Sequence, residues 1–286
     1  MQKAKDFFNG RTAVIANKHK KERVIAPLLE KHLGLKVIVP EKIDTDQFGT
    51  FTRDIARKGS QLDAARAKAE EGMRLTGAEI GIASEGTFGP HPASPFIAAN
   101  TEIVVLIDKK HDLEIIGGSV SLKTNDNHRY VSSVEEAIEF ANAIGFPSHG
   151  IVIRAHPDIS LGMVKGVTTV EQLEKAVRKF LKIPLRGKVF LETDMRAYVN
   201  PTRMENIKSA TEDLVKNCLR VCSKCGIPGF SITQKKPGLP CELCDLKTDS
   251  TLADIYTCKK CGFTKEELYP DGKKVAYAGN CGYCNP

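Results

Sequence analysis

The sequence predicts an α/β fold, a mixed sheet flanked by helices, followed by a small module of another kind. Two observations predict it. Through residue 221, short β-branched runs alternate with amphipathic stretches of helical period. After Val221 that periodicity stops, glycine and proline become frequent, and cysteines recur in pairs. The expected organisation is therefore an α/β domain over residues 1–221 and a cysteine-rich module over residues 222–286.

The elements follow in order. Strands are expected at Thr12 to Ala16, Lys36 to Val39, Glu79 to Ala83, Glu102 to Ile107, Ile151 to Arg154 and Lys188 to Leu191. Helices are expected at Lys20 to His32, Ser60 to Thr76, Ser133 to Ile144, Thr169 to Leu181 and Thr202 to Val221. Ser133 precedes Glu135 and Glu136, and Thr169 precedes Glu171. This places acid in a first turn, where backbone N–H groups lack partners. Asp112 to Tyr130 reads as irregular strands and turns, and Pro184 to Gly187 as a turn rather than a linker.

The cysteines carry the most specific signal. Cys222/Cys225, Cys241/Cys244, Cys258/Cys261 and Cys281/Cys284 form four CxxC pairs. Two such pairs can complete a tetrahedron around Zn²⁺, so eight cysteines provide two sites. Fifteen residues separate Cys225 from Cys241 and nineteen separate Cys261 from Cys281, the usual four-cysteine spacing, whereas thirteen lie between Cys244 and Cys258. Sequential pairing is favoured, with interleaved pairing as its rival. The start, MQKAKDFFNG, is polar, so the expectation is a cytoplasmic chain with reduced thiols rather than disulfides. Cys218, left over at a helical position, reads as a small core residue.

The 286 residues exceed one zinc module and suffice for a sizeable α/β core. No apolar run approaches the ~20 residues that span a bilayer, so no membrane partner is expected. The formal charge of +7 falls to +3 once eight thiolates and two zinc ions are counted, which weakens a nucleic-acid reading. Lys235/Lys236, Lys259/Lys260 and Lys273/Lys274 then read as solvated turns.

Four segments place polar residues where open α/β sheets collect them, at the carboxyl ends of strands. Asn17, Lys18, His19, Lys20 and Lys21 open a helix, either a phosphate seat or an ordinary basic turn. Glu41, Asp44 and Asp46 cluster after the second strand, as a Mg²⁺ or Mn²⁺ site or a solvated loop. Glu85 follows Ile80 to Ala83 and precedes two glycines, which makes it the leading catalytic carboxylate, holding metal or activating water. Ser84 and His91 lack the GxSxG elbow, which argues against covalent serine catalysis. In ETDMRAYVNPTRM, Asp194 is a second catalytic candidate, and Arg196 and Arg203 suit phosphate or carboxylate, unless they form an ion-paired hinge.

The stretches ANKHKKERVIAPLLE, DTDQFGTFTRD, GIASEGTFGPHP and ETDMRAYVNPTRM, with the tail from CSKCGIPGF through GLPCELC to CGYCNP, resemble an uncharacterised family, a domain of unknown function. Asp245 stands where that resemblance leads one to expect glycine. The N-terminal order, with AARAKAEEGMRLTGA before GIASEGTFG, is also similar to the inosine/xanthosine triphosphate pyrophosphatases. That second resemblance implies phosphate contacts from Asn17 and Lys20 and service to a metal by Glu85.

The functional expectation is a metal-assisted hydrolase or transferase acting on a nucleotide or other phosphorylated small molecule, with a structural zinc tail. Substrate would meet Asn17, Lys18, Lys20, Arg196 and Arg203. The alternative is a nucleic-acid-binding zinc ribbon without catalysis; its aromatics, Phe230, Tyr256, Phe263, Tyr269, Tyr277 and Tyr283, are spread out. A third reading is a purely structural tail that docks on the α/β domain or drives oligomerisation.

Overall fold

A computed structural model describes residues 2–41, 43, 59–156, 162–183 and 187–285. Asp44, Asp46 and most of the expected 184–187 turn lie outside the described residues. The α/β class holds, with the polypeptide arranged around three sheets.

The first sheet has the order β2-β1-β3-β4-β5, from β1 (Thr12–Ile15), β2 (Lys36–Ile38), β3 (Ile80–His91), β4 (Ser94–Asp108) and β5 (Leu113–Ser121). β1 runs parallel to both β2 and β3, and β4 and β5 continue antiparallel, so the sheet is mixed. One face meets α1 (Gln2–Phe8), α2 (Glu22–Leu33) and α6 (Pro201–Leu219) over a core of Ile15, Ile82, Val104, Leu29 and Leu214. The other meets α3 (Gln61–Thr76) through small residues, Ala65, Ala69 and Ala83. Ser60 caps α3 in a reciprocal box with Asp63, fixing where that helix starts.

Residues 128–193 form a second, wholly antiparallel sheet of order β6-β9-β7-β8: β6 (His128–Val131), β7 (Ile151–Arg154), β8 (Met163–Val167) and β9 (Val189–Thr193). α4 (Val134–Ala143) and α5 (Val170–Leu181) pack on one face with Ile151, Ile153, Val189 and Leu191. Each helix crosses over one intervening strand, a split βαβ connection. The chain then returns to the first sheet as α6, which packs on β4 and β5, so the second sheet is inserted between β5 and α6.

The remaining strands, β10 (Ser231–Pro237), β11 (Thr251–Thr257) and β12 (Thr264–Leu268), make the third sheet, antiparallel and small. The tail docks on the first lobe. Ile227 packs on its core, Lys260 Nζ donates to the His111 carbonyl at 3.2 Å, and Lys259 pairs with Glu114 at 3.6 Å.

The expected helices stand with ends shifted by one or two residues. The expected strands at 79–83 and 102–107 are the inner parts of a much longer hairpin, and the 112–130 segment supplies β5 and β6. Among the described residues no helix is long and apolar enough to cross a membrane.

Candidate functional site

β1 ends at Ile15, but its neighbour β3 continues to His91. Beyond Ile15 the edge of β3 is open to the loop leading into α2 and to the start of α3. Here charge is buried to a degree that packing alone does not require. Lys21, Lys68, Glu85, Glu102 and Arg203 are all nine-tenths buried or more. Buried ionisable groups gathered this closely make the end of β1 the candidate functional site.

Strand alternation sorts the cluster between the two faces of the sheet. Ser84, Gly86 and Glu102 share the face of α2 and α6, where Arg203 Nε meets Glu102 Oε1 at 2.8 Å and Asn100 donates to the same oxygen at 3.0 Å. Arg203 Nη1 donates to the Met195 carbonyl at 2.7 Å, which ties α6 to the segment leaving β9. Glu85 points to the α3 face and pairs with Lys68. Glu85 and Arg203 therefore approach the site from opposite sides of one strand. Gln61, in the first turn of α3, donates to the carbonyls of Glu85 and Thr101 at 2.7 and 3.0 Å and holds that edge in place.

Lys21 enters from the α2 start. Its Nζ lies 2.9 Å from the Ser84 carbonyl oxygen and 3.0 Å from Ser84 Oγ. Burial lowers its pKa to about 7, and Arg203 and Lys68 push the same way against Glu85 and Glu102.

Asn17 sits in the loop after β1, but its Oδ1 already accepts from the N–H groups of His19 at 2.7 Å and Lys21 at 3.2 Å, and its Nδ2 donates to Glu22. The side chain thus occupies part of the helix start that a phosphate would use. Lys18 and Lys20 are exposed at the rim, Lys20 with φ of 57°.

Asp194 and Arg196 form a second station, on the segment that follows β9. The buried Asp194 carboxylate accepts from Gly166 N at 3.0 Å, Arg196 N at 3.0 Å and Arg196 Nε at 2.9 Å. It thereby acts as a holder of the guanidinium. That guanidinium lies over Tyr198, whose ring stacks on His19 at 5.7 Å. Through this stack the loop after β1 meets the inserted lobe.

Lys68 and Glu102 were not singled out from the sequence, and Lys21 was marked only as part of the basic run at a helix start. Lys68 was visible as a lysine on the small-residue face Ala64, Ala65, Ala69 and Gly72 of α3, and Glu102 as an acid opening the apolar run Ile103 to Leu106.

The cysteines assemble as Cys222, Cys225, Cys258, Cys261 and as Cys241, Cys244, Cys281, Cys284. The pairing is interleaved, and the favoured sequential pairing is corrected. The reason is strand direction. Cys222/Cys225 precede β10 and Cys241/Cys244 follow it, so its seven residues hold these pairs roughly 20 Å apart. The antiparallel register Ser231↔Thr257 instead returns Cys258 to the first pair.

Within the sets, sulfurs lie 3.7 Å (Cys222–Cys261), 3.6 Å (Cys225–Cys258), 3.8 Å (Cys241–Cys284) and 3.7 Å (Cys244–Cys281) apart. A tetrahedron with metal–sulfur bonds of about 2.3 Å has edges of about 3.8 Å, whereas a disulfide would need about 2.05 Å. Each set can therefore hold one metal ion and fits a zinc ribbon. Gly226, Gly262 and Asp245 all take positive φ after the second cysteine of a pair, and Asp tolerates the position glycine usually fills. Cys218 is a free thiol fully buried in the first core, as expected, and desolvation pushes its pKa upward.

Residues 68–286 match one family profile. The chain belongs to the DUF6671 family, a domain of unknown function. No curated protein matches the chain. The region matched to DUF6671 holds Lys68, Glu85, Glu102, Asp194, Arg196, Arg203 and all eight paired cysteines, whereas Asn17 to Lys21 precede it.

Proposed function

We propose that the cluster of buried charges at the end of β1 binds a nucleotide or other phosphorylated small molecule and cleaves or transfers its phosphoryl group, while the cysteine sets hold two structural Zn²⁺ ions. The observation that carries this reading is the set of five ionisable side chains buried at one strand end. Lys18 and Lys20 at the rim, with Arg196 held by Asp194, would neutralise phosphate oxygens. Mg²⁺ or Mn²⁺ would arrive on those oxygens, keeping most of its water. Glu85, oriented by Lys68, would position or activate the attacking water. The similarity of the N-terminal stretches to the inosine/xanthosine triphosphate pyrophosphatases supports a nucleoside triphosphate as the first substrate to try.

Thermal unfolding of the zinc-loaded chain against nucleoside triphosphates with Mg²⁺, phosphosugars and short single-stranded oligonucleotides tests the reading, because a ligand of the native state raises the midpoint. One small phosphorylated compound should raise it, less so in Arg196→Ala, and Glu85→Gln should keep the shift while losing turnover. A response to oligonucleotides alone would overturn the assignment and move the function to the zinc ribbon.

A further inference from the structure

Lys21 differs from the other buried cations. Lys68 has Glu85 and Arg203 has Glu102, whereas Lys21 forms no ion pair among the described residues; its hydrogen bonds go to the two oxygens of Ser84. A buried ammonium with no carboxylate in contact is expensive, and an amine that sheds its proton avoids that cost. In the uncharged form one Nζ hydrogen serves the Ser84 carbonyl, and the nitrogen lone pair accepts the Ser84 hydroxyl. Serine beside a desolvated lysine is a known way to activate a hydroxyl without histidine.

We propose that Ser84 is a nucleophile and Lys21 its proton acceptor, so that the transferred group passes through Ser84 Oγ. For the identity of that group the proposal rests on the phosphoryl reading above. In the first step an Oγ–P bond forms, the bond from phosphorus to the leaving oxygen breaks with its electron pair, and the hydroxyl proton moves to Lys21 Nζ. In the second step water attacks phosphorus, the Oγ–P bond breaks, and Lys21 returns its proton to Oγ while the water's proton leaves with phosphate. The sequence lacks a serine elbow, and His91 lies out on the β3–β4 arm. The base comes instead from a helix start 63 residues earlier.

The groups facing Lys21 fix its behaviour with pH. Burial is the largest influence and lowers the pKa to about 7, Arg203 of α6 and Lys68 of α3 lower it, and Glu85 of β3 and Glu102 of β4 raise it. The amine is therefore the base form above pH 7.

Diisopropyl fluorophosphate tests the pair without any nucleotide. Attack by Ser84 forms the Oγ–P bond, expels fluoride and leaves the proton on Lys21. Peptide mass spectrometry of the full zinc-loaded chain should place the adduct on Ser84, forming about tenfold faster at pH 8 than at pH 6, as the base form grows on crossing pH 7. Ser84→Ala should give none. Lys21→Arg, which keeps a charge but cannot accept the proton, should slow labelling by about 10²-fold or more. No adduct at Ser84 in folded wild type, or an unchanged rate in Lys21→Arg, would overturn the proposal. A protein that labels at Ser84 yet ignores every phosphorylated ligand would retain the pair and sink the phosphoryl reading; one that binds a triphosphate without labelling would do the reverse.

Discussion

Arg203 and Glu102, 101 residues apart in the chain, form an ion pair in which neither side chain has any solvent exposure. The pair joins the first turn of α6 to the middle of β4, and Arg203 also holds the Met195 carbonyl. The return of the chain from the inserted lobe is thus pinned at the edge of the candidate site.

Breaking one side of this pair strands the other charge in the interior. Arg203→Met should lower the unfolding free energy by about 3–5 kcal/mol, and Arg203→Met with Glu102→Leu should recover a large part of it. Urea unfolding of both variants measures the difference; a double variant as unstable as the single one would show that the pair is not the source of the loss.

Lys21 should make stability depend on pH. Its pKa is about 7 in the folded chain and starts from 10.5, so between those values the unfolded chain binds more protons and stability rises with pH. Below pH 7 both states are protonated, and the whole penalty of burying the charge is felt. The stability of Lys21→Met relative to wild type should therefore be highest at pH 6.5 and fall toward pH 9.5. Urea midpoints at the two values read the gap, and a constant gap would refute the titration.

Interleaved metal sites predict which thiols fail together. Cys222→Ser should expose Cys225, Cys258 and Cys261 to alkylation and release about one of two bound zinc ions, leaving Cys241, Cys244, Cys281 and Cys284 protected. Joint exposure of Cys241 and Cys244 would restore the sequential pairing.

Gly117 is a packing requirement. A Cβ there would run into the backbone of α6 at Ala210 and Leu214, which lies directly on β5. Gly117→Ala should destabilise by about 1–3 kcal/mol through overpacking, measured by thermal melting; a neutral effect would mean that α6 can move outward freely.

Some of this was legible in the sequence. Ser133 and Thr169 each cap the helix they announced, and Ser60, the first residue of an expected helix, caps it as well, because caps act over three residues. Local signals also marked Glu85, Asp194, Arg196 and Arg203. They could not show that Glu85 and Arg203 reach the site from opposite faces of β3, which depends on strand register. Nor could they show that Lys21 would meet Ser84. The cysteine spacing counted ligands correctly and misjudged their partners, since partnership is set by the direction of β10 across the third sheet. The inserted sheet stayed hidden because its four short strands pair out of chain order.

The most direct test of the central claim is ³¹P NMR of nucleoside triphosphates with Mg²⁺ and the zinc-loaded chain, alongside Glu85→Gln and Arg196→Ala. The account predicts that the resonances of at least one triphosphate give way to cleaved product with wild type, that Glu85→Gln leaves them intact, and that Arg196→Ala slows their loss. Intact triphosphates throughout, or cleavage at the same rate in all three proteins, would contradict it.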